Sequence, residues 1–214
     1  MLMNREQLAV YFIAGTPNCK QSIEETLQAA IDGGITMFQF REKGKDALAG
    51  SAKKEQAVRL QALCREANIP FIINDDIELA VEIGADGVHI GQEDEAASSV
   101  RGKINGGIVG VSVHTMDEAK KAIADGADYV GTGPIYQTGT KTDTGPVAGT
   151  ALIKTMRAQN LTIPIVGIGG ITIDNAAPVI AAGADGVSII SAISYADDVK
   201  QAVVELQAAV ESSN

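Results

Sequence analysis

Short apolar, β-prone runs alternate along the chain with stretches of helical periodicity. The runs fall at 10–14 (VYFIA), 35–40 (ITMFQF), 70–73 (PFII), 86–90 (DGVHI), 108–112 (IVGVS), 128–131 (DYVG), 164–168 (PIVGI) and 186–190 (GVSII). Helical patterning is clearest at 22–32, 52–67, 115–125, 147–158 and 197–211. Eight strands with intervening helices predict an α/β fold, a closed (β/α)8 TIM barrel, as a single domain over residues 1–214 and shorter than the usual ~250 residues. A doubly wound open sheet would need fewer strands and usually a GxGxxG after the first one, which is absent. The repeated segments GADGV (84–88), GADYV (126–130) and GADGV (183–187) place a helix-stopping Gly, a turn and a new strand in one order. Asp86, Asp128 and Asp185 are therefore expected as turn or cap residues on the stability side of the barrel.

Composition narrows the partners. With 17 basic against 27 acidic side chains the formal net charge is -10, which disfavours nucleic acid or an anionic membrane as a general partner. An anionic substrate then needs local cations or a metal. Cys19 and Cys64 show no metal-ligand spacing and are expected as reduced thiols. No charged leader followed by an apolar segment opens the chain, and no apolar stretch approaches the ~18 residues of a membrane span; a cytoplasmic protein is expected. The four Phe and four Tyr are too scattered to mark an interface, so a homo-oligomer stays open.

Polar residues follow the strands. In a parallel barrel these positions gather at the C-terminal face, where the chemistry of this fold resides. In QFREKG (39–44), period-2 alternation puts Gln39 and Arg41 on one side, with Lys43 just beyond the strand; Arg offers phosphate a rigid fork and Lys a mobile charge. INDD (73–76) and HIGQED (89–94) bring Asp75 and Asp94 from neighbouring strands, a pair suited to an oxygen-liking cation such as Mg2+. Asp76 is the choice to cap the following helix. His89 is expected as a core histidine, while His114 is balanced between pocket lining and loop structure. Ser112 can point to the strand mouth and bond a phosphate, and Thr115 can cap the next helix with Glu118 completing a capping box. Residues 131–146 suit a mobile phosphate-binding lid, with Thr138 and Thr140 as hydroxyl donors and Lys141 as the charge that enters on closure. GIGG (167–170) and SIISAI (188–193) supply a phosphate cradle of Gly170 and the amides near Ser191 and Ala192. Gly167 is expected instead to relieve crowding inside the barrel.

The ordered motifs QFREK (39–43), IND (73–75), HIGQED (89–94), VSVHT (111–115), GTGPIYQTGTK (131–141) and GIGGI (167–171) resemble the thiamine-phosphate synthase family, also called thiamine-phosphate pyrophosphorylases. The resemblance runs from Tyr11 to Ile193. It implies transfer of a 4-amino-2-methylpyrimidin-5-ylmethyl group from its diphosphate to 4-methyl-5-(2-phosphoethyl)thiazole, giving thiamine monophosphate and pyrophosphate by a dissociative route. It further implies that Gln39, Arg41, Lys43 and Asn74 hold the pyrimidine diphosphate, that Asp75 and Asp94 bind Mg2+, and that Ser112 and Lys141 meet the pyrophosphate. Thr138 and Thr140 then contact the thiazole phosphate, cradled by Gly170, Ile190 and Ser191. The family's usual lid has Pro where this chain has Gln137. A related thiazole tautomerase shares the barrel and cradle but has no pyrophosphate or metal to hold, and a noncatalytic phosphate-ligand-binding barrel would bind without turnover.

Overall fold

In the computed structural model, residues 3–139 and 147–212 are described. The elements follow in chain order as β1 (Val10–Ala14), α1 (Ile23–Gly33), β2 (Met37–Phe40), α2 (Gly50–Glu66), β3 (Phe71–Asn74), α3 (Ile77–Ile83), β4 (Gly87–Ile90) and α4 (Ala97–Lys103). Next come β5 (Ile108–Val113), α5 (Met116–Ala124), β6 (Tyr129–Thr132), α6 (Ala151–Ala158), β7 (Ile165–Ile168), α7 (Ile173–Ala181), β8 (Gly186–Ile189), α8 (Ser191–Ser194) and α9 (Val199–Glu211). The eight strands form a closed barrel in sequence order, every pair parallel, with β8 returning to β1 through Tyr11↔Ser188. This is the (β/α)8 barrel that the hydrophobic runs predict.

Alternation along each strand divides the apolar residues into two cores. Leu8, Tyr11, Ile13, Met37, Ile72, Tyr129 and Val166 cluster inside the barrel. Phe12, Phe38, Phe40, Phe71, Ile73, Val88, Val130, Ile165 and Val187 pack outward in a larger cluster shared with the helices. Burial on both faces explains why the strands look like near-continuous apolar runs in the sequence.

Helix ends follow local chemistry. Ser22, Asp76, Thr115 and Asp198 each accept a backbone N–H in the first turn of α1, α3, α5 and α9. The expected box at α5 forms only in part: Thr115 caps the Glu118 N–H at 3.2 Å, but the Glu118 carboxylate reaches the His114 N–H, at 2.6 Å. The helix expected over 147–158 begins at Ala151, because Gly149 turns the chain with φ 61°. Periodicity does not single out α4 or α7, whose few turns leave little to count.

The Gly-Ala-Asp repeats act at the N-terminal end of the barrel. Asp86, Asp128 and Asp185 accept the N–H of Phe71, Val109 and Ile165 at 2.8, 2.8 and 2.7 Å. Each ties a new strand to the start of its neighbour, as the turn reading expects. No helix among the described residues is long and apolar enough to cross a membrane.

Candidate active site

At the opposite, C-terminal end the strand exits surround a cavity of about 550 Å³, within the range of small-molecule sites. Arg41, Lys43, Asn74, Asp75, Asp94, Ser112, Thr138, Gly170, Ile190 and Ser191 all line it. Seven strands or their following loops, β2 to β8, thus contribute, as convergence of parallel strands requires. Thr140 and Lys141 lie outside the described residues. Gln39 is not on the cavity wall. It sits in the barrel interior, 1 % exposed, where its Nε2 donates to the Tyr11 hydroxyl at 2.6 Å and its Oε1 has no hydrogen-bond partner.

The two acidic neighbours after β3 separate. Asp75 takes φ 59°, a left-handed conformation that Asp tolerates better than most residues. Its carboxylate faces the cavity and pairs with Lys43 Nζ. Asp76 turns away, caps α3 through the Leu79 N–H at 3.0 Å and binds Lys53 Nζ at 2.6 Å. Burial pushes the Asp76 carboxyl up, but the bonds from Lys53 and Leu79 outweigh it and hold its pKa below the ordinary value. In the loop after β4, Asp94 Oδ2 accepts the Gly91 N–H at 2.7 Å, which holds this second carboxylate over the mouth.

Two glycines are set by close packing. A Cβ on Gly167 would lie 2.5 Å from Val179 Cγ1, so the crowding it relieves is against α7 and not inside the barrel. A Cβ on Gly170, at φ 65°, would lie 2.5 Å from Gln137 O and 2.9 Å from Tyr136 Cβ. This glycine therefore serves close packing beneath the loop after β6 as well as any approach of backbone to a ligand. The described half of the expected lid is tied down: Ile135 and Tyr136 donate their N–H groups to Ile168 O and Gly169 O at 2.9 Å each, and the Tyr136 hydroxyl donates to Asn175 O at 3.0 Å.

His89 is a buried, hydrogen-bonded core histidine, as expected, and its bonds lead to the cavity. It lines the cavity and its ring nitrogens lie 2.9 Å from the Tyr129 hydroxyl and 2.9 Å from Ser112 Oγ. Period-2 alternation was the available signal, because Val88 and Ile90 belong to the outer core and so turn His89 inward. Ser188 is inward by the same logic and also lines the cavity. His114 resolves toward the pocket, with Nδ1 at 3.2 Å from Glu118 Oε2.

The cavity sets Arg41 and Lys43 beside Asp75 and Asp94 and the turn at Gly169 and Gly170, and the family comparison places the chain. Residues 10–193 match the family described as thiamine monophosphate synthase. The chain belongs to this family. The thiamine-phosphate synthase of Geobacillus thermodenitrificans (strain NG80-2) is 54 % identical over 98 % of this chain and 95 % of its own length. That of Bacillus thuringiensis (strain Al Hakam) is 58 % identical over 89 % of this chain and 87 % of its own. Among solved structures, thiamine phosphate pyrophosphorylase from Pyrococcus furiosus superposes with a TM-score of 0.86 at 33 % identity, covering 98 % of both chains. Every strand that feeds the cavity lies within the span matched to the thiamine monophosphate synthase family.

Proposed function

We propose that the chain is a thiamine-phosphate synthase, joining a pyrimidinylmethyl diphosphate to a thiazole phosphate with release of pyrophosphate. The observation that carries this reading is the meeting of Arg41, Lys43, Asn74, Asp75, Asp94 and Ser112 on one cavity in a member of that family.

In the reaction the exocyclic C–O bond to the diphosphate breaks and pyrophosphate leaves with the electron pair. The thiazole nitrogen then forms the new C–N bond with its own lone pair, so no general base is required. The pyrimidine's 4-amino group stabilises positive charge at the CH2 carbon as the leaving group departs. Protein catalysis is then mostly electrostatics at the leaving group and placement of the nucleophile. Arg41, Lys43 and Ser112 would hold the pyrophosphate oxygens, joined by Lys141. Asn74 would orient the diphosphate substrate. The unpartnered Oε1 of Gln39, below the cavity floor, supports a role in accepting an N–H of the pyrimidine. Gly170, Ile190 and Ser191 would cradle the thiazole phosphate, with Thr138 and Thr140 above it.

Asp75 and Asp94 fit Mg2+ by chemistry, being hard oxygen donors at one mouth. Among the described residues no group of three His, Cys, Asp or Glu side chains is placed to hold a metal, so water and diphosphate oxygens would complete the shell, as Mg2+ prefers. When bound, the ion would neutralise charge growing on the departing pyrophosphate. Cys19 and Cys64 are free thiols that burial pushes up to about 11 and about 12, so neither supplies a thiolate nucleophile to the reaction.

The test is pyrophosphate release by the purified protein supplied with both substrates and Mg2+, with single-substrate and EDTA controls and the product mass recorded. Release coupled to thiamine monophosphate and abolished by EDTA is expected. Intact substrates would overturn the reading.

A further inference from the structure

We infer that Tyr129, with Tyr11 and Gln39 behind it, is a positioning residue: a one-way chain of hydrogen bonds through the barrel interior fixes the tautomer of His89 and aims the Ser112 hydroxyl proton into the cavity. The inference deepens the proposed function, since it rests on Ser112 meeting an anion there.

The chain has four links: Gln39 Nε2 to Tyr11 Oη at 2.6 Å, Tyr11 Oη to Tyr129 Oη at 2.9 Å, Tyr129 Oη to His89 Nδ1 at 2.9 Å, and His89 Nε2 to Ser112 Oγ at 2.9 Å. An amide nitrogen only donates, and a phenol has one proton to give. With Gln39 donating to its oxygen, Tyr11 has its one proton to donate in a hydrogen bond to Tyr129. Tyr129 in turn donates to Nδ1 of His89. A neutral imidazole that accepts at Nδ1 carries its hydrogen on Nε2, so His89 donates to Ser112. Ser112 Oγ accepts that bond and its own proton is left to face the cavity, the polarity that a phosphate oxygen needs. Were the carbonyl end of Gln39 set against Tyr11, every link would reverse and Ser112 would present a lone pair to the anion.

The surroundings hold this chain in place. Tyr11 and Tyr129 are fully buried, their rings edge-to-face with centroids 5.9 Å apart. A Cβ on Gly110 would fall 2.1 Å from Tyr129 Cζ, so β5 leaves a gap shaped for that ring. Burial pushes both phenols well above their ordinary pKa, and both stay neutral donors at any working pH.

The experiment is 15N NMR of histidine-labelled protein, which has only His89 and His114; a His114→Gln variant assigns the spectrum. His89 is expected as the Nε2–H tautomer in the native protein, with the Nδ1–H form gaining population in Tyr129→Phe. An Nδ1–H tautomer in the native protein, or a spectrum that Tyr129→Phe leaves unchanged, overturns the inference. In turnover, Tyr129→Phe is expected to lower kcat by about fivefold to tenfold, the scale of one net hydrogen bond, with little change in the KM of the thiazole phosphate. Added to Ser112→Ala it is expected to cost nothing further, since it acts through Ser112; an independent, multiplicative loss would also overturn the inference. The NMR arm needs no turnover. A native protein that makes no thiamine monophosphate would sink the proposed function, while the chain of hydrogen bonds would still be judged by its spectrum.

Discussion

Asp75 holds φ at 59°, and this reversal sends its carboxylate to the cavity while that of Asp76 caps α3 and binds Lys53. Replacing either one should therefore have a different consequence. Asp76→Ala is expected to cost about 1 kcal/mol of stability, the usual value of an N-cap, with kcat nearly unchanged; Asp75→Ala is expected to lower kcat at least tenfold at similar stability. Urea titration and steady-state kinetics of both variants separate the roles, and a shared loss of one property would refute the division. Acid gives a second check. The folded pKa of Asp76 lies below its unfolded value, so its contribution is fully present above pH ~4 and is lost as pH falls through the lower folded pKa. The stability gap between native protein and Asp76→Ala should narrow below pH ~4. The sequence offered both carboxylates as candidates, and helix-capping logic picked Asp76 as the cap, which it is. The left-handed dihedral that makes the choice physical has no signature beyond Asp being one of the residues that accept it.

At the scale of elements, the turns that begin β4, β6 and β8 repeat one device, and two of them recruit an arginine. Arg101 donates to Gly107 O at 2.5 Å and to Gly126 O and pairs with Asp128. Arg157 donates to the carbonyls of Gly183, Leu161 and Ile163, each at 2.8 Å, and meets Asp185 at 2.6 Å. Asp185 thus satisfies both the Ile165 N–H and a half-buried guanidinium, and Arg5 adds a second cation. Asp185→Ala would leave these groups without their acceptor at the end of the barrel far from the cavity. A loss of about 3 kcal/mol is expected in urea denaturation, with kcat of the folded fraction unchanged. Asp197→Ala, which removes the exposed pair with Lys20, serves as the control and should stay within ~1 kcal/mol of native. A kcat that falls with stability in Asp185→Ala would place the residue in the chemistry after all. The Gly-Ala-Asp repeats are visible in the sequence because they are local. The arginines are not, because Arg101 and Arg157 stand 27 and 28 residues before their aspartates and only barrel closure brings each pair together.

For the whole molecule, closure could be anticipated from eight apolar runs, and closure is what converts scattered strand ends into one site. Gln39 shows where that logic thins out. Alternation sets its side correctly but not its depth, and it lies one layer below the wall. Charge balance at the mouth carries a further consequence. The chain bears a net charge of -10, and the cavity is no exception: among the described residues Arg41 and Lys43 face Asp75, Glu93, Asp94 and Glu118. Such a wall repels a bare diphosphate, and under the proposed function a divalent cation at Asp75 and Asp94 would offset its excess of negative charge. Pyrophosphate itself is the simplest probe of that offset. Without metal it is expected to bind weakly, and Asp94→Asn, which deletes one negative charge, should strengthen that binding by up to about tenfold, the scale of one unit charge a few ångströms away in a partly hydrated site. With Mg2+ present the same substitution should weaken binding, because a ligand to the ion is gone. Calorimetric titration of pyrophosphate into native and Asp94→Asn protein, with Mg2+ and with EDTA, would show the two effects crossing in sign; a change of the same sign under both conditions would mean that Asp94 acts on the fold of its loop and not on the ion.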